Sequence, residues 1–158
     1  MPSELPRLAQ LAQAGGWVLA TAESCTGGAI AEALTRLPGS SQWFSHGVVC
    51  YSNQAKSHWL EVPPSLLETQ GAVSEAVVKA MVQGACQTGM ANLAVAVSGV
   101  AGPGGGSVKT PVGSVWLAWG NAQQQAAQAF LFKGDRQAVR EASVNVAIRG
   151  LIDFMEKN

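Results

Sequence analysis

Residues 21–28 read Thr-Ala-Glu-Ser-Cys-Thr-Gly-Gly and set a carboxyl, a hydroxyl and a thiol at consecutive positions, Glu23, Ser24 and Cys25. The apolar run Trp17-Val18-Leu19-Ala20 precedes them, and Ile30, Ala33 and Leu34 follow at helical spacing. The pattern predicts a strand-to-helix turn. A helix N-terminus offers free backbone N–H groups and a partial positive charge, which stabilise an anion or an oxygen becoming one. On the residues alone, two readings stand. Ser24 or Thr26 merely caps the helix, with Gly27 and Gly28 allowing close packing, or Ser24 is a nucleophile. A serine nucleophile needs a base, and neither His46 nor His58 is placed to serve.

A second candidate is Tyr51-Ser52-Asn53-Gln54-Ala55-Lys56, with Tyr51 ending a strand and Lys56 in the helical turn that follows. A lysine base must lose its proton well below its free pKa of about 10.4. Burial and a neighbouring positive dipole both act in that direction. If the two turns lie side by side, Ser24 and Lys56 can form a nucleophile–base pair, with Tyr51 relaying or orienting a proton. Otherwise Lys56 is a solvated side chain. The stretch Ser98 to Ser107 is glycine-rich, with five glycines among residues 99–106. Such a loop can turn N–H groups toward a phosphate or carboxylate, or simply be a surface loop. It matches neither the Walker A pattern nor a strand-to-helix dinucleotide fingerprint. Arg136 follows Asp135 in a helix's first turn, where cations are mildly disfavoured, and could hold an anion near the other loops. Cys25 is the alternative nucleophile, as a thiol at a helix N-terminus. Cys50 and Cys86 read as buried apolar residues.

The elements that must position these groups are legible as an alternation of helices and strands. Residues 4–14 carry the helical stripe Leu5, Leu8, Ala9 and Ala12. A strand over 16–21, a helix over 26–36 and a strand over 43–51 follow. A short helix capped by Ser52-Asn53 holds Lys56, and a turn of helix covers 65–69. The helix opening at Ser74 places Val78, Met81, Val82 and Ala85 on one face and ends at Gly89. Leu93–Val97 is the run of a strand covered on both faces. Residues 113–119 and 126–132 suit an antiparallel pair, and Asp135 caps a long last helix. This order predicts an α/β fold, a three-layer α/β/α sandwich on a mixed sheet, spanning residues 1–158 as one domain.

Composition narrows the function classes. Of 158 residues, 47% are apolar and 13% charged, so disorder is not expected. Ten Lys and Arg balance ten Asp and Glu, which argues against an extended nucleic-acid-binding face. Three cysteines without a CxxC spacing and two isolated histidines suggest neither a disulfide framework nor a metal site. No apolar run approaches the length of a membrane span, so a cytoplasmic protein with no membrane or nucleic-acid partner is expected.

Taken together, the motifs resemble the CinA C-terminal domain family, the stand-alone nicotinamide-nucleotide amidases. The resemblance rests on Thr21–Gly28, Pro38-Gly-Ser-Ser41 with Trp43-Phe44, Tyr51-Ser-Asn-x-Ala-Lys56 and Gly71-Ala-Val-Ser74. It continues through Ser98-Gly-Val-Ala-Gly-Pro103, Pro111-Val-Gly-Ser-Val-Trp116 and Gly134-Asp-Arg136. It implies hydrolysis of the carboxamide of nicotinamide mononucleotide to a carboxylate and ammonia, in pyridine-nucleotide salvage, by a homo-oligomer, expected as a dimer, without metal or organic cofactor. Ser24 would be the nucleophile, Lys56 the base and Tyr51 their support. Substrate contacts would come from Glu23, Cys25, Thr26, Gly27, Gly28, Asn53, Ser98, Gly99, Gly102 and Arg136. The chain departs from the family at Gly104, where an acidic residue is expected. A competing expectation is a nucleotide-binding or competence-related interaction module without chemistry.

Overall fold

In a computed structural model, which describes residues 2–158, the strand ahead of the Thr21–Gly28 motif is β1 (Leu19–Glu23), with all five residues buried. It is shifted relative to the expected 16–21. Gly16 caps α1 (Leu5–Gly15) in the left-handed region, and the Trp17 N–H turns back to the Ala12 carbonyl. At the other end, Ala22 and Glu23 still pair with both neighbouring strands. The turn is therefore later and tighter than expected, and α2 (Ala29–Leu34) starts only after Gly28, whose φ of 101° suits glycine.

Five strands form one mixed sheet in the order β2-β1-β3-β4-β5, where β2 is Phe44–Val49, β3 is Leu93–Gly99, β4 is Ser114–Gly120 and β5 is Gln125–Leu131. β1 runs parallel to β2 and β3, and β4 is antiparallel to both β3 and β5. Between β2 and β3 the chain forms α3 (Asn53–Leu60), α4 (Pro64–Gln70) and α5 (Glu75–Cys86), and α6 (Arg136–Lys157) closes it. The three-layer α/β/α sandwich expected from the alternation is the observed fold. A short 3-10 turn at Ser40–Gln42 is an element the periodicity did not signal.

Strand alternation sorts the core into two halves. Leu19, Val95, Val97, Leu117 and Trp119 face α1, α2 and α6. On the opposite face, Ala20, Ala22, Ala94, Ala96 and Ala118 form an alanine layer under α3, α4 and α5. Small side chains let those helices approach the sheet closely. After β1 the chain leaves toward β2, and after β3 it leaves toward β4 on the other side. The two parallel strands thus end beside a crevice at a topological switch point, where open α/β sheets bind ligands.

The position of α3 depends on one close approach. A side chain on Gly84 of α5 would run into the Leu60 carbonyl at the end of α3. Gly84→Ala is expected to cost about 1–3 kcal/mol by forcing α3 off α5. Thermal unfolding reads this as a Tm loss of roughly 2–4 °C per kcal/mol.

Candidate active site

The crevice holds a cleft of about 170 Å³ lined by Ser24, Cys25, Tyr51, Asn53, Lys56, Ala72, Val73, Ser98, Gly99, Ala101 and Arg136. Five segments converge there: the turn after β1, the β2–α3 junction, the α4–α5 loop, the end of β3 with the residues just after it, and the start of α6. Ser52 caps α3 by accepting from the Ala55 N–H at 3.0 Å, which sets Lys56 one turn into the helix. Its side chain is 2% exposed, and its Nζ lies 3.2 Å from Ser24 Oγ. Ser24 is 7% exposed. The contact serves either protonation state: an ammonium donates to Oγ, and a neutral amine accepts from the hydroxyl.

Burial pushes the Lys56 amine below its ordinary range, partly offset by the nearby Cys50 and Cys25 thiols. The cause is desolvation of the charged form. α5 also starts just beyond Val73 in the cleft wall, so the positive end of a 12-residue helix adjoins the site. Burial drives the Cys25 thiol up to about 11. A thiol held that firmly in its neutral form is a poor nucleophile, against the thiol alternative.

The structure divides the remaining expected residues. Cys25, Asn53, Ser98, Gly99 and Arg136 line the cleft beside Ser24, Lys56 and Tyr51; Glu23, Thr26, Gly27, Gly28 and Gly102 do not. Strand alternation sends Glu23 to the opposite face. There its carboxyl accepts from the Thr26 hydroxyl at 2.6 Å and from the Ile30 and Ala31 N–H groups at 2.9 Å each. The free N–H groups expected at the start of α2 are therefore partly taken by the protein's own carboxyl. Those of Cys25, Thr26 and Gly28 remain without an acceptor among the described residues. Gly102 turns its carbonyl to Arg136, accepting from Nη1 at 2.8 Å. The glycine-rich stretch is the connection of an antiparallel hairpin, pinned where the Val100 N–H donates to the Ser114 carbonyl at 2.9 Å. Gly104 is exposed with open space around it.

Tyr51 is 59% exposed, and its hydroxyl accepts from Arg136 Nη2 at 2.9 Å. It makes no hydrogen bond to Ser24 or Lys56 among the described residues, so a direct relay between them has no contact here. Ala72, Val73 and Ala101 were not singled out from sequence, because small apolar side chains carry no chemical signal; the Gly71–Ser74 and Ser98–Pro103 motifs were their only trace. Arg140, which the sequence did not single out, donates from its Nη2 to the Thr26 carbonyl at 2.9 Å. Among the described residues no group of His, Cys, Asp or Glu could hold a metal ion, and no helix is long and apolar enough to cross a membrane.

The fold recurs in known proteins. Residues 4–155 match the CinA C-terminal domain, and the chain belongs to that family. It is 56% identical over 134 residues to a Pseudomonas putida protein named nicotinamide-nucleotide amidohydrolase PncC, covering 85% of this chain and 84% of that one. An Escherichia coli K12 protein of the same name is 44% identical over 154 residues, covering 94% and 93%. Against a longer CinA-like protein of Akkermansia muciniphila, 48% identical, the chain spans 34% of the relative's length. Among solved structures, a CinA superfamily protein from Klebsiella pneumoniae superposes with a TM-score of 0.93 at 40% identity, covering 98% of this chain and 96% of that one.

Replacing the buried amine separates stability from chemistry. The unfolded chain takes up a proton on Lys56 below about pH 10.4, while the folded chain holds that proton more weakly. Lys56 therefore lowers wild-type stability as pH falls from its unfolded toward its folded pKa, and the penalty is full below both. Lys56→Met is expected to gain at least about 1 kcal/mol near neutral pH, a Tm rise of ~2–4 °C. The gain shrinks as pH approaches 10; thermal melts across pH 6–10 check it.

Proposed function

We propose that this chain hydrolyses the carboxamide of nicotinamide mononucleotide to nicotinate mononucleotide and ammonia, through a Ser24–Lys56 pair, in pyridine-nucleotide salvage. The observation that carries this reading is the 3.2 Å approach of a buried lysine amine to a serine hydroxyl in a strand-end cleft. The printed names of the P. putida and E. coli relatives supply the substrate class. The same kinship carries the expectation of a cytoplasmic homo-oligomer.

In this mechanism the neutral Lys56 amine takes the Ser24 hydroxyl proton as Oγ attacks the carboxamide carbon. The oxygen gains negative charge and is held by unpartnered N–H groups of the turn, with Cys25 in the cleft wall best placed. One such donor is worth about 3–4 kcal/mol of barrier. Collapse breaks the C–N bond, Lys56 returns its proton to the leaving nitrogen, and ammonia departs. Water then cleaves the acyl ester by the same proton transfers in reverse, releasing the carboxylate and restoring Ser24. Arg136 and Tyr51, at the mouth, hold the phosphate and ribose and thereby place the carboxamide at Ser24.

Ammonia release from nicotinamide mononucleotide tests the reading. Ser24→Ala is expected to lower kcat by about 10³-fold or more with folding retained. Activity in Ser24→Ala equal to wild type would remove Ser24 as nucleophile. Thermal stabilisation by the nucleotide without ammonia release would favour the interaction-module alternative. Because the reaction needs the neutral amine, kcat/KM is expected to rise with pH and level off below the pH at which a free lysine deprotonates. Arg136→Met is expected to raise KM for the mononucleotide about 10-fold or more, with little change for the phosphate-free riboside.

A further inference from the structure

The turn that presents Ser24 is braced from the side facing away from the cleft. Glu23 Oε1 accepts from Thr26 Oγ1 at 2.6 Å and from the Ile30 N–H at 2.9 Å, and Oε2 accepts from the Ala31 N–H at 2.9 Å. The Thr26 carbonyl accepts from Arg140 Nη2 at 2.9 Å. Glu23 and Thr26 are both fully buried. The residue before Ser24 is thus tied to the first turn of α2, and the residue after Cys25 is tied to Glu23 by its side chain and to α6 by its backbone. Within the turn, the Ser24 N–H donates to the Val97 carbonyl at 3.1 Å and the Gly27 N–H to the Ser24 carbonyl at 3.0 Å.

We propose that Glu23 and Arg140 are positioning residues that lock this turn so that Ser24 Oγ stays within reach of the Lys56 amine. The inference rests on Ser24 being the nucleophile. A carboxyl suits the position of Glu23 because three donors meet two oxygens. A glutamine of the same shape would set its NH₂ against an O–H or N–H donor, and an aspartate is one methylene too short. Arg140 makes one hydrogen bond among the described residues, to Thr26, and its buried Nε has no acceptor. The guanidinium is therefore held by the turn it braces. At 3.2 Å the Oγ–Nζ separation is at the long end of hydrogen-bond reach. A displacement of roughly 1 Å breaks it, and such misplacements cost about 10²-fold in rate.

The test reads Ser24 directly, whatever its substrate. The full chain is treated with a small fluorophosphonate: the Oγ–P bond forms, fluoride leaves and Lys56 takes the hydroxyl proton. The second-order labelling rate is measured beside kcat and KM for nicotinamide mononucleotide and the Tm. Glu23→Gln and Arg140→Met are expected to label about 10–100-fold more slowly, with kcat falling in parallel and KM nearly unchanged. Thr26→Val follows them, whereas Thr26→Ser, which keeps the hydroxyl donor, stays near wild type. Leu8→Ala, in the core between α1 and α6, lowers Tm yet labels at the wild-type rate. Wild-type labelling in both Glu23→Gln and Arg140→Met overturns the proposal, as does a slowing of Leu8→Ala equal to theirs. If Glu23→Gln does not fold, Arg140→Met and Thr26→Val decide the matter alone. Rapid labelling of wild-type Ser24 without ammonia release removes the proposed substrate, and the variants' labelling rates still decide the brace. A wild-type chain that does not label at Ser24 overturns both.

Discussion

An amine kept out of water is the constraint on which the site depends. Lys56 is 2% exposed, its Nζ donates to Ser24 Oγ, and among the described residues no carboxyl accepts from it. Such a group is costly to bury charged, and cheap only when it gives up its proton. The alanines of β1, β3 and β4 let α5 settle close to the sheet, Gly84 lets α3 settle against α5, and Ser52 starts α3 at the register that sends Lys56 inward. Each of these choices is a local packing matter. Their joint result is a lysine whose chemistry differs from that of the exposed lysines elsewhere on the chain.

The two sides of the Ser24 turn divide the labour. The cleft is lined by the Ser24 hydroxyl, the Lys56 amine and Cys25, whose N–H has no acceptor among the described residues. Away from it, Glu23 fills the start of α2 with a carboxyl that belongs to the protein. The site therefore does not draw on α2 as a general anion receptor, as a strand-to-helix corner suggests at first sight. On the proposed mechanism, stabilisation of a developing oxyanion would fall to the turn backbone at Cys25, which lines the cleft.

How much of this could be read in the residues follows from what each signal encodes. The layers and sheet class were legible because hydrophobic periodicity reports which face is covered. From the residues the pairing of Ser24 with Lys56 stood only as a conditional, and the family resemblance favoured it, since spacing along a chain carries no information about proximity between two turns. Glu23 was assigned to the cleft through the resemblance, with the strand expected to stop at residue 21. Continued pairing to residue 23 places its side chain, by simple alternation, on the other face. The glycine-rich segment was ambiguous for a related reason: glycine content signals backbone freedom equally well in a phosphate cradle and in a tight hairpin. Arg140 went unnoticed because a lone arginine on a helix looks like solvent-facing charge until the partner carbonyl, 114 residues earlier, is seen.

That long separation has a consequence for the order in which the protein becomes competent. Ser24 and Lys56 are 32 residues apart, whereas α6, which holds the Thr26 carbonyl through Arg140, follows all five strands along the chain. The strand that accepts the Ser24 N–H, β3, is also made after both of them. A nascent chain that has emerged only as far as β5 carries Ser24 and Lys56 and lacks the contact from Arg140 to the Thr26 carbonyl. On the proposed mechanism, alignment of the pair waits on the docking of α6, so the full hydrolytic rate would come only with that helix in place.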